Sequence, residues 1–199
     1  MRKALVVVIF FSMFVFSSTG FSQIVEKTSD LSAYVGILSS LEADVKIQFE
    51  GQQEQTGKDE GETELMFGAR YNYNVDTNNA LEGTIGFMFP EKQKVYLYHV
   101  NYKYNITLSN EMVVPFVTGG VGAITISPDE GESSTNLSFN FGGGLGYFVG
   151  ENLAIRVDVR DIIMKRGDQD IEIQGAQGTI EGYTVQNIEA TGGITYYFI

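Results

Sequence analysis

The sequence predicts an all-β fold, an eight-stranded antiparallel up-and-down transmembrane β-barrel, and three observations carry that reading. Between Val95 and Ile106 the chain alternates with period two, placing Tyr96, Tyr98, Val100, Tyr102, Tyr104 and Ile106 on one face and His99, Asn101, Lys103 and Asn105 on the other. The same alternation recurs in later segments, and the last one ends on Tyr196-Tyr197-Phe198, just before the C-terminal Ile199. The connections between segments alternate in length, as they do when one rim of a barrel has short turns and the other has longer loops.

The N-terminal segment has cationic Arg2 and Lys3, an apolar run from Ala4 to Phe16 and small residues from Ser17 to Ser22. That layout predicts a signal peptide over residues 1–22, cleaved after Ser22, followed by a barrel domain over 23–199. The apolar run is shorter than the roughly 20 residues a membrane-spanning helix needs. The chain has no cysteine, so no disulfide framework supports the exported domain. Its formal net charge of -12 would repel phosphates, which argues against nucleic acid as a partner.

Strands are expected at Leu31–Ser39, Glu62–Tyr73, Ala80–Phe89, Val95–Ile106, Val113–Ile126, Thr135–Phe148, Leu153–Met164 and Gln186–Phe198. Short turns rich in Asn, Asp, Ser and Gly fill residues 74–79, 107–111 and 149–152. Polar connections, expected as solvated loops, fill Ser40–Gly61, Pro90–Lys94, Ser127–Ser134 and Lys165–Val185, of which the second is brief. Most of the excess acid falls in these connections, at Glu42, Asp44, Glu50, Glu54, Asp59, Glu60, Asp129, Glu130, Glu132, Asp168, Asp170 and Glu172.

Charge distinguishes the two faces of the strands. The polar faces carry Glu64, Glu82, Asp158 and Glu189 against Arg70, Lys103, Arg156 and Arg160, a balanced set in a strongly acidic protein. A solvated face has no need of neutrality, whereas ions enclosed in a narrow lumen must pair or lose several kcal/mol each in desolvation. The opposite faces suit lipid: Leu65, Phe67, Ala69, Tyr71 and Tyr73 in one strand, Leu81, Gly83, Ile85, Phe87 and Phe89 in the next. Tyr71, Tyr73, Tyr102, Tyr104 and Tyr147 precede short turns, and Tyr196 ends the last strand, so an aromatic girdle is expected at the periplasmic rim. Gly119, Gly120 and Gly122, then Gly142, Gly143, Gly144 and Gly146, allow close approach in a tightly curved wall. No Lys-Ser/Thr follows the second run, so it is not read as a phosphate loop.

The stretches Pro115-Phe116-Val117-Thr118-Gly119-Gly120-Val121-Gly122-Ala123, Asn140 to Phe148 (N-F-G-G-G-L-G-Y-F) and Asn152 to Asp161 (N-L-A-I-R-V-D-V-R-D) resemble the OmpA-like outer-membrane β-barrel domain family. Gly68 to Asn74 and Leu81-Glu82-Gly83 look like that family's second and third strands. The resemblance covers nearly the whole exported chain and is specific for the barrel type but weak for activity. It implies residence in the cell outer membrane, contact with membrane lipids and lipopolysaccharide, and insertion by the barrel-assembly machinery through the C-terminal strand. Two departures stand out. The chain stops after the barrel, so a wall-tethering role is not expected, and Ile199 follows Phe198, which takes the place of the family's usual final aromatic.

Candidate chemistry is sparse. His99, the only histidine, would need a nucleophile and an acid in hydrogen-bond reach to serve a lipid-A-modifying enzyme, and it falls on the lumen face. Asp168, Asp170 and Glu172 have carboxylates at alternate positions but lack the glycine and spacing of a calcium-hand loop. No catalytic, cofactor or metal residues are therefore assigned. The expectation is a non-enzymatic outer-membrane protein of structural or surface role, with a lumen plugged by Arg70, Glu82, Lys103, Arg156, Asp158, Arg160 and Glu189. The alternative is a narrow channel for ions or small amphipathic solutes. A loop-mediated adhesin and a lipid-A-modifying enzyme rank lower.

Overall fold

The N-terminal strand β1 (Thr28–Ser40) closes the molecule: it pairs antiparallel with β4 (Thr63–Asn74) on one side and with the last strand, β12 (Thr184–Phe198), on the other. Between them run β5 (Asn79–Met88), β6 (Gln93–Asn105), β7 (Val113–Pro128), β8 (Ser134–Phe148) and β9 (Leu153–Lys165). The ring order β1-β12-β9-β8-β7-β6-β5-β4 is a closed eight-stranded antiparallel barrel in which every barrel strand has two partners. This computed structural model describes residues 24–49, 55–59, 61–108, 112–167, 169–173, 176–180 and 182–198. The expected leader over 1–22 lies outside the described residues.

The eight expected barrel strands are all present; β4 and β5 have the expected length, shifted by one residue, and the other six are longer, β1 the most. The two longest connections differ from expectation. Instead of loops throughout, they contain the strands β2 (Ala43–Phe49) and β3 (Gln55–Asp59), then β10 (Gln169–Ile173) and β11 (Ala176–Ile180). These form a second, four-stranded sheet in the order β10-β11-β2-β3, joined where Gly178, Thr179 and Ile180 pair with Phe49, Gln48 and Ile47. The physical reason lies in the sequence: Ala-Asp-Val-Lys-Ile-Gln-Phe in β2 and Gln-Asp-Ile-Glu-Ile in β10 alternate with period two. Their acids occupy alternate strand positions rather than a featureless polar loop.

Both described ends of the chain lie at the rim of the short turns, and the second sheet lies at the opposite rim. In an outer-membrane barrel the former is periplasmic and the latter faces the exterior. The periplasmic turn between β4 and β5 is built on Asp76, whose Oδ1 accepts the backbone N–H of Asn78 and of Asn79 at 2.8 Å each. The Asn79 side-chain amide adds bonds of 2.9 and 2.8 Å to the two carboxylate oxygens, and these contacts hold the Asp76 carboxyl below its ordinary pKa. Beside this turn the hydroxyl of Tyr102 donates to Asn79 Oδ1.

The outward positions are apolar and exposed, with Leu65, Phe67, Leu81, Val100, Val121, Phe139, Phe141 and Val159 among them. The outward tyrosines Tyr71, Tyr73, Tyr102, Tyr104 and Tyr196 are exposed at the periplasmic end and form a girdle of the kind whose amphipathic rings suit the membrane interface. No described helix is long and apolar enough to cross a membrane, and the crossing is made by strands.

Candidate functional site

Inward-facing residues of a barrel strand stack along its axis, so reading β9 from the periplasmic end gives the layers of the lumen. Ala154 comes first, then Arg156, Asp158 and Arg160, then Ile162 and Met164, all buried. On β4 the same order runs in reverse: Met66, then Arg70, Asn72 and Asn74. The lumen is therefore a charged belt between two apolar layers. The periplasmic layer is Ile24, Phe148, Ala154 and Tyr197, in which the Phe148 and Tyr197 rings lie 4.9 Å apart. The outer layer includes Leu38, Met66, Leu97, Ile124 and Ile162.

The structure brings six of the seven expected lumen charges into one network. Glu82 lies 2.7 Å from Arg160 Nη2 through Oε1 and 2.7 Å from Arg156 Nη1 through Oε2. The Arg156 contact is close enough for an ion pair but is angled away from a linear hydrogen bond. Asp158 accepts from Arg156 at 2.8 and 2.9 Å, from Arg160 at 3.0 Å and from Arg70 at 3.3 Å. Arg70 also donates to Glu189 at 2.5 Å and to Thr191 at 3.0 Å. Three guanidiniums meet three carboxylates, so the network is neutral.

These pairs cross the bore rather than running along its wall. In the ring order β5 and β9 stand four strands apart on either path, which is opposite sides of an eight-stranded barrel. Each Glu82–arginine contact therefore spans the diameter. The space for such long side chains comes from glycines on neighbouring strands. A Cβ at Gly142 would strike Val159 and Arg160, and one at Gly68 would strike the ring of Tyr34. Tyr34 lies over Gly68, donates to the carbonyl of Ile85 at 3.0 Å and receives the Arg70 guanidinium on its ring at 3.9 Å, which joins the belt to the outer apolar layer.

Lys103, the seventh expected residue, is buried but stands apart. Among the described residues it forms no salt bridge, and its Nζ lies 5.6 Å from the Phe116 ring centre. Glu64, counted with the polar faces, sits nearer the outer mouth and is only half-buried. Asp30 escaped the sequence reading because it precedes the expected start of the first strand. It is fully buried and accepts from Asn72 and Asn74 at 2.7 and 3.2 Å. With Asp30 set against Lys103, the buried charges of the lumen still sum to zero.

His99 is buried on the lumen face, where its Nε2 lies 2.9 Å from Ser138 Oγ, also buried. The pair is enclosed within the belt rather than open to the membrane. Among the described residues no cluster of three or more His, Cys, Asp or Glu could hold a metal ion. Of the acidic run, Asp168 lies outside the described residues, and Asp170 and Glu172 belong to β10.

A closed barrel with an apolar exterior, an aromatic girdle and ions confined inside is a small transmembrane protein of the outer membrane. The chain belongs to the outer membrane protein beta-barrel domain family, which matches residues 15–198. Among solved structures it is similar to Neisserial surface protein A (NspA), with 13% identity, a TM-score of 0.56 and coverage of 83% of this chain and 97% of that one. It is also similar to the N-terminal β-barrel domain of Pseudomonas aeruginosa OprF, with 12% identity, a TM-score of 0.53 and coverage of 87% and 98%. A third similar structure is the outer membrane protein OprG of the same organism, with 13% identity, a TM-score of 0.51 and coverage of 87% and 98%. No curated protein matches the chain. At these identities the likeness concerns the fold.

Proposed function

We propose that this protein is a non-enzymatic structural or surface barrel whose lumen is held shut by Arg70, Glu82, Lys103, Arg156, Asp158, Arg160 and Glu189. The observation that carries this reading is the neutral network whose Glu82–Arg156 and Glu82–Arg160 contacts span the bore between two apolar layers. An eight-stranded barrel is just wide enough inside for side chains, so each cross-bore pair removes the path an ion would take. The four-stranded sheet at the outer rim supports a surface role.

Export through a leader over residues 1–22 accords with the cationic and apolar zones of the N-terminus. Insertion by the barrel-assembly machinery would act on β12, the strand that completes the ring against β1. Lipid and lipopolysaccharide are then the standing partners of the outward face.

Planar-bilayer recording tests the closed lumen: the purified protein is expected to give no sustained conductance, and large, stable, nonselective currents would overturn the reading. A narrow conduit is the second reading, favoured by the cavity of about 350 Å³ that opens toward the outer mouth. Under that reading Glu82→Gln raises conductance, whereas under the first it lowers stability and leaves the bilayer silent.

A further inference from the structure

The outer sheet continues the barrel wall without a break in register. β1 and β4 pair as far as Ser39↔Thr63, and four residues further out β2 and β3 pair Ala43↔Asp59. The pair Thr184↔Lys165 between β12 and β9 leads by the same step to Ile180↔Gln169 between β11 and β10. The seam between β1 and β12 ends at Ser40↔Asn187 and resumes seven residues on at Ile47↔Ile180. No residue is gained or lost on any of these seams, so the two faces of the wall keep their parity. The sheet stands as a flap above one side of the mouth.

Parity places the residues of the flap. Val35 and Ile37 of β1, Val159 of β9 and Ile194 of β12 are exposed on the outer face of the barrel. The flap positions in phase with them are Val45, Ile47 and Phe49 in β2, Ile171 and Ile173 in β10, and Ile180 in β11. The positions of opposite phase, continuous with the lumen wall, are polar, with Gln48, Asp170, Glu172 and Gln177 among them. A polar collar separates the outward apolar patch from the lipid face below it. There the Ser39 and Thr63 hydroxyls lie 2.9 Å apart, Gln186 donates to Asp161 at 2.6 Å, and Lys165 and Thr184 are exposed. By the register that sets Met66 against Met88, Thr63 is level with the exposed charged turn at Glu91 and Lys92. Hydrocarbon ends at this collar, and the patch stands beyond it.

A sheet with one apolar face is half of a two-layer structure. Every described strand belongs to the barrel or the flap, and no described residue is helical, so no element of the described chain is left to cover the patch. The flap's four strands, of five to seven residues each, present roughly 350 Å² at a spacing of about 4.8 Å and a rise of about 3.3 Å per residue. Two such faces bury roughly 700 Å², short of the 1,000 Å² or so that a stable interface between free proteins clears. The partner is therefore one that needs little contact energy to stay in place. A copy in the same membrane meets that condition, because it carries the same patch at the same height and at high effective concentration. We propose that two copies of this chain associate through their flaps, apolar face to apolar face, as a β-sandwich with its layers about 10 Å apart. The inference goes beyond the closed-lumen reading and is tested separately, because it concerns the outward face and predicts association rather than conduction.

The chain has no cysteine, so single thiols can be introduced for the test. The exported chain carrying Glu151→Cys in its exposed periplasmic turn is labelled in separate batches with donor and acceptor dyes. The batches are mixed in vesicles of phosphatidylethanolamine and phosphatidylglycerol. Energy transfer is expected to rise saturably with the protein-to-lipid ratio, above the transfer that random mixing gives. Ile47→Asp together with Phe49→Asp should raise the ratio for half-association by about tenfold or more. Replacing residues 42–61 with a short turn should do the same, with barrel circular dichroism unchanged in both variants. Copper-phenanthroline takes two electrons from a pair of thiols, which lose two protons and form one disulfide. It should link Ile47→Cys copies to each other and leave Gln48→Cys copies apart. Transfer no greater than random mixing, transfer that survives both flap variants, or equal cross-linking at 47 and 48 would each overturn the proposal. Association that disappears in vesicles carrying lipopolysaccharide would assign the patch to that lipid and overturn it as well.

Discussion

Replacing Glu82 with glutamine removes one charge from the centre of the bore and keeps the side chain's shape. The native carboxylate lies 2.7 Å from both Arg160 and Arg156 and accepts from Asn101 and Thr84 at 3.2 and 3.3 Å. The amide leaves two guanidiniums to share Asp158, which already serves Arg70 at 3.3 Å. Removing one partner of a buried ion pair costs about 3–5 kcal/mol, because the other charge stays in a low-dielectric site. At about 1.4 kcal/mol per tenfold, that is a loss of roughly a hundredfold to several thousandfold in the folding constant. Reversible urea unfolding from lipid vesicles, followed by tyrosine fluorescence, measures it. Adding Arg160→Met restores neutrality, so the double variant should recover part of the loss rather than sum two losses. A Glu82→Gln variant within about 1 kcal/mol of wild type, the range of exposed pairs, would refute the enclosed-network argument, and so would simple additivity in the double variant.

Three further outcomes follow from the same geometry. Tyr34→Phe loses the bond to the Ile85 carbonyl but keeps the ring over Gly68, so it should cost about 1 kcal/mol by urea unfolding, and a cost above about 3 kcal/mol would contradict this account. Because hydrogen bonding depresses the Asp76 pKa in the folded turn, its contribution is present above the ordinary value and is lost as pH falls through the lowered one. The backbone N–H signals of Asn78 and Asn79 should therefore titrate together in acid, and Asp76→Ala should abolish that transition. Replacing residues 42–61 with a short turn should leave barrel circular dichroism and refolding intact, since β1 and β4 pair directly from Ser39–Thr63 to Thr28–Asn74. Failure of that variant to refold would show that the outer sheet is needed to close the ring.

The barrel was legible because lipid and lumen impose opposite polarity on alternate residues, as in Val95–Ile106. The six networked charges were legible for a related reason, since a balanced set within a chain of net charge -12 calls for enclosure. Where both faces are apolar, the period disappears. Leu65-Met66-Phe67, Phe87-Met88-Phe89 and Ile162-Ile163-Met164 carry apolar residues on both faces, so alternation assigns their lipid-facing members but leaves the outer apolar layer of the lumen, with Met66, Met88 and Ile162, unmarked. The outer sheet was hidden by composition and by distance, because the pairing of β2 with β11 joins segments on opposite sides of six barrel strands. The cross-bore pairs depend on three-dimensional closure, which alternation along one strand does not encode.

The network also bears on how the ring finds its register. The outward face meets lipid in any register of the correct parity, so hydrocarbon contact alone distinguishes poorly between the native alignment and a two-residue slip. A one-residue slip of β9 would turn Arg156, Asp158 and Arg160 toward lipid, where each charge costs several kcal/mol. A two-residue slip keeps them inside but carries Asp158 away from Arg70 and moves the arginines relative to Glu82 on the far wall. The seams on both sides of β9 would have to pair elsewhere while the cross-bore contacts were broken. The belt therefore selects among registers that the lipid face leaves nearly equivalent. This predicts that a variant with all six networked residues replaced by apolar residues of similar volume would refold into vesicles yet show multiple sets of amide signals for β9 and β12. A single set at native shifts would place register control in the turns and glycines instead.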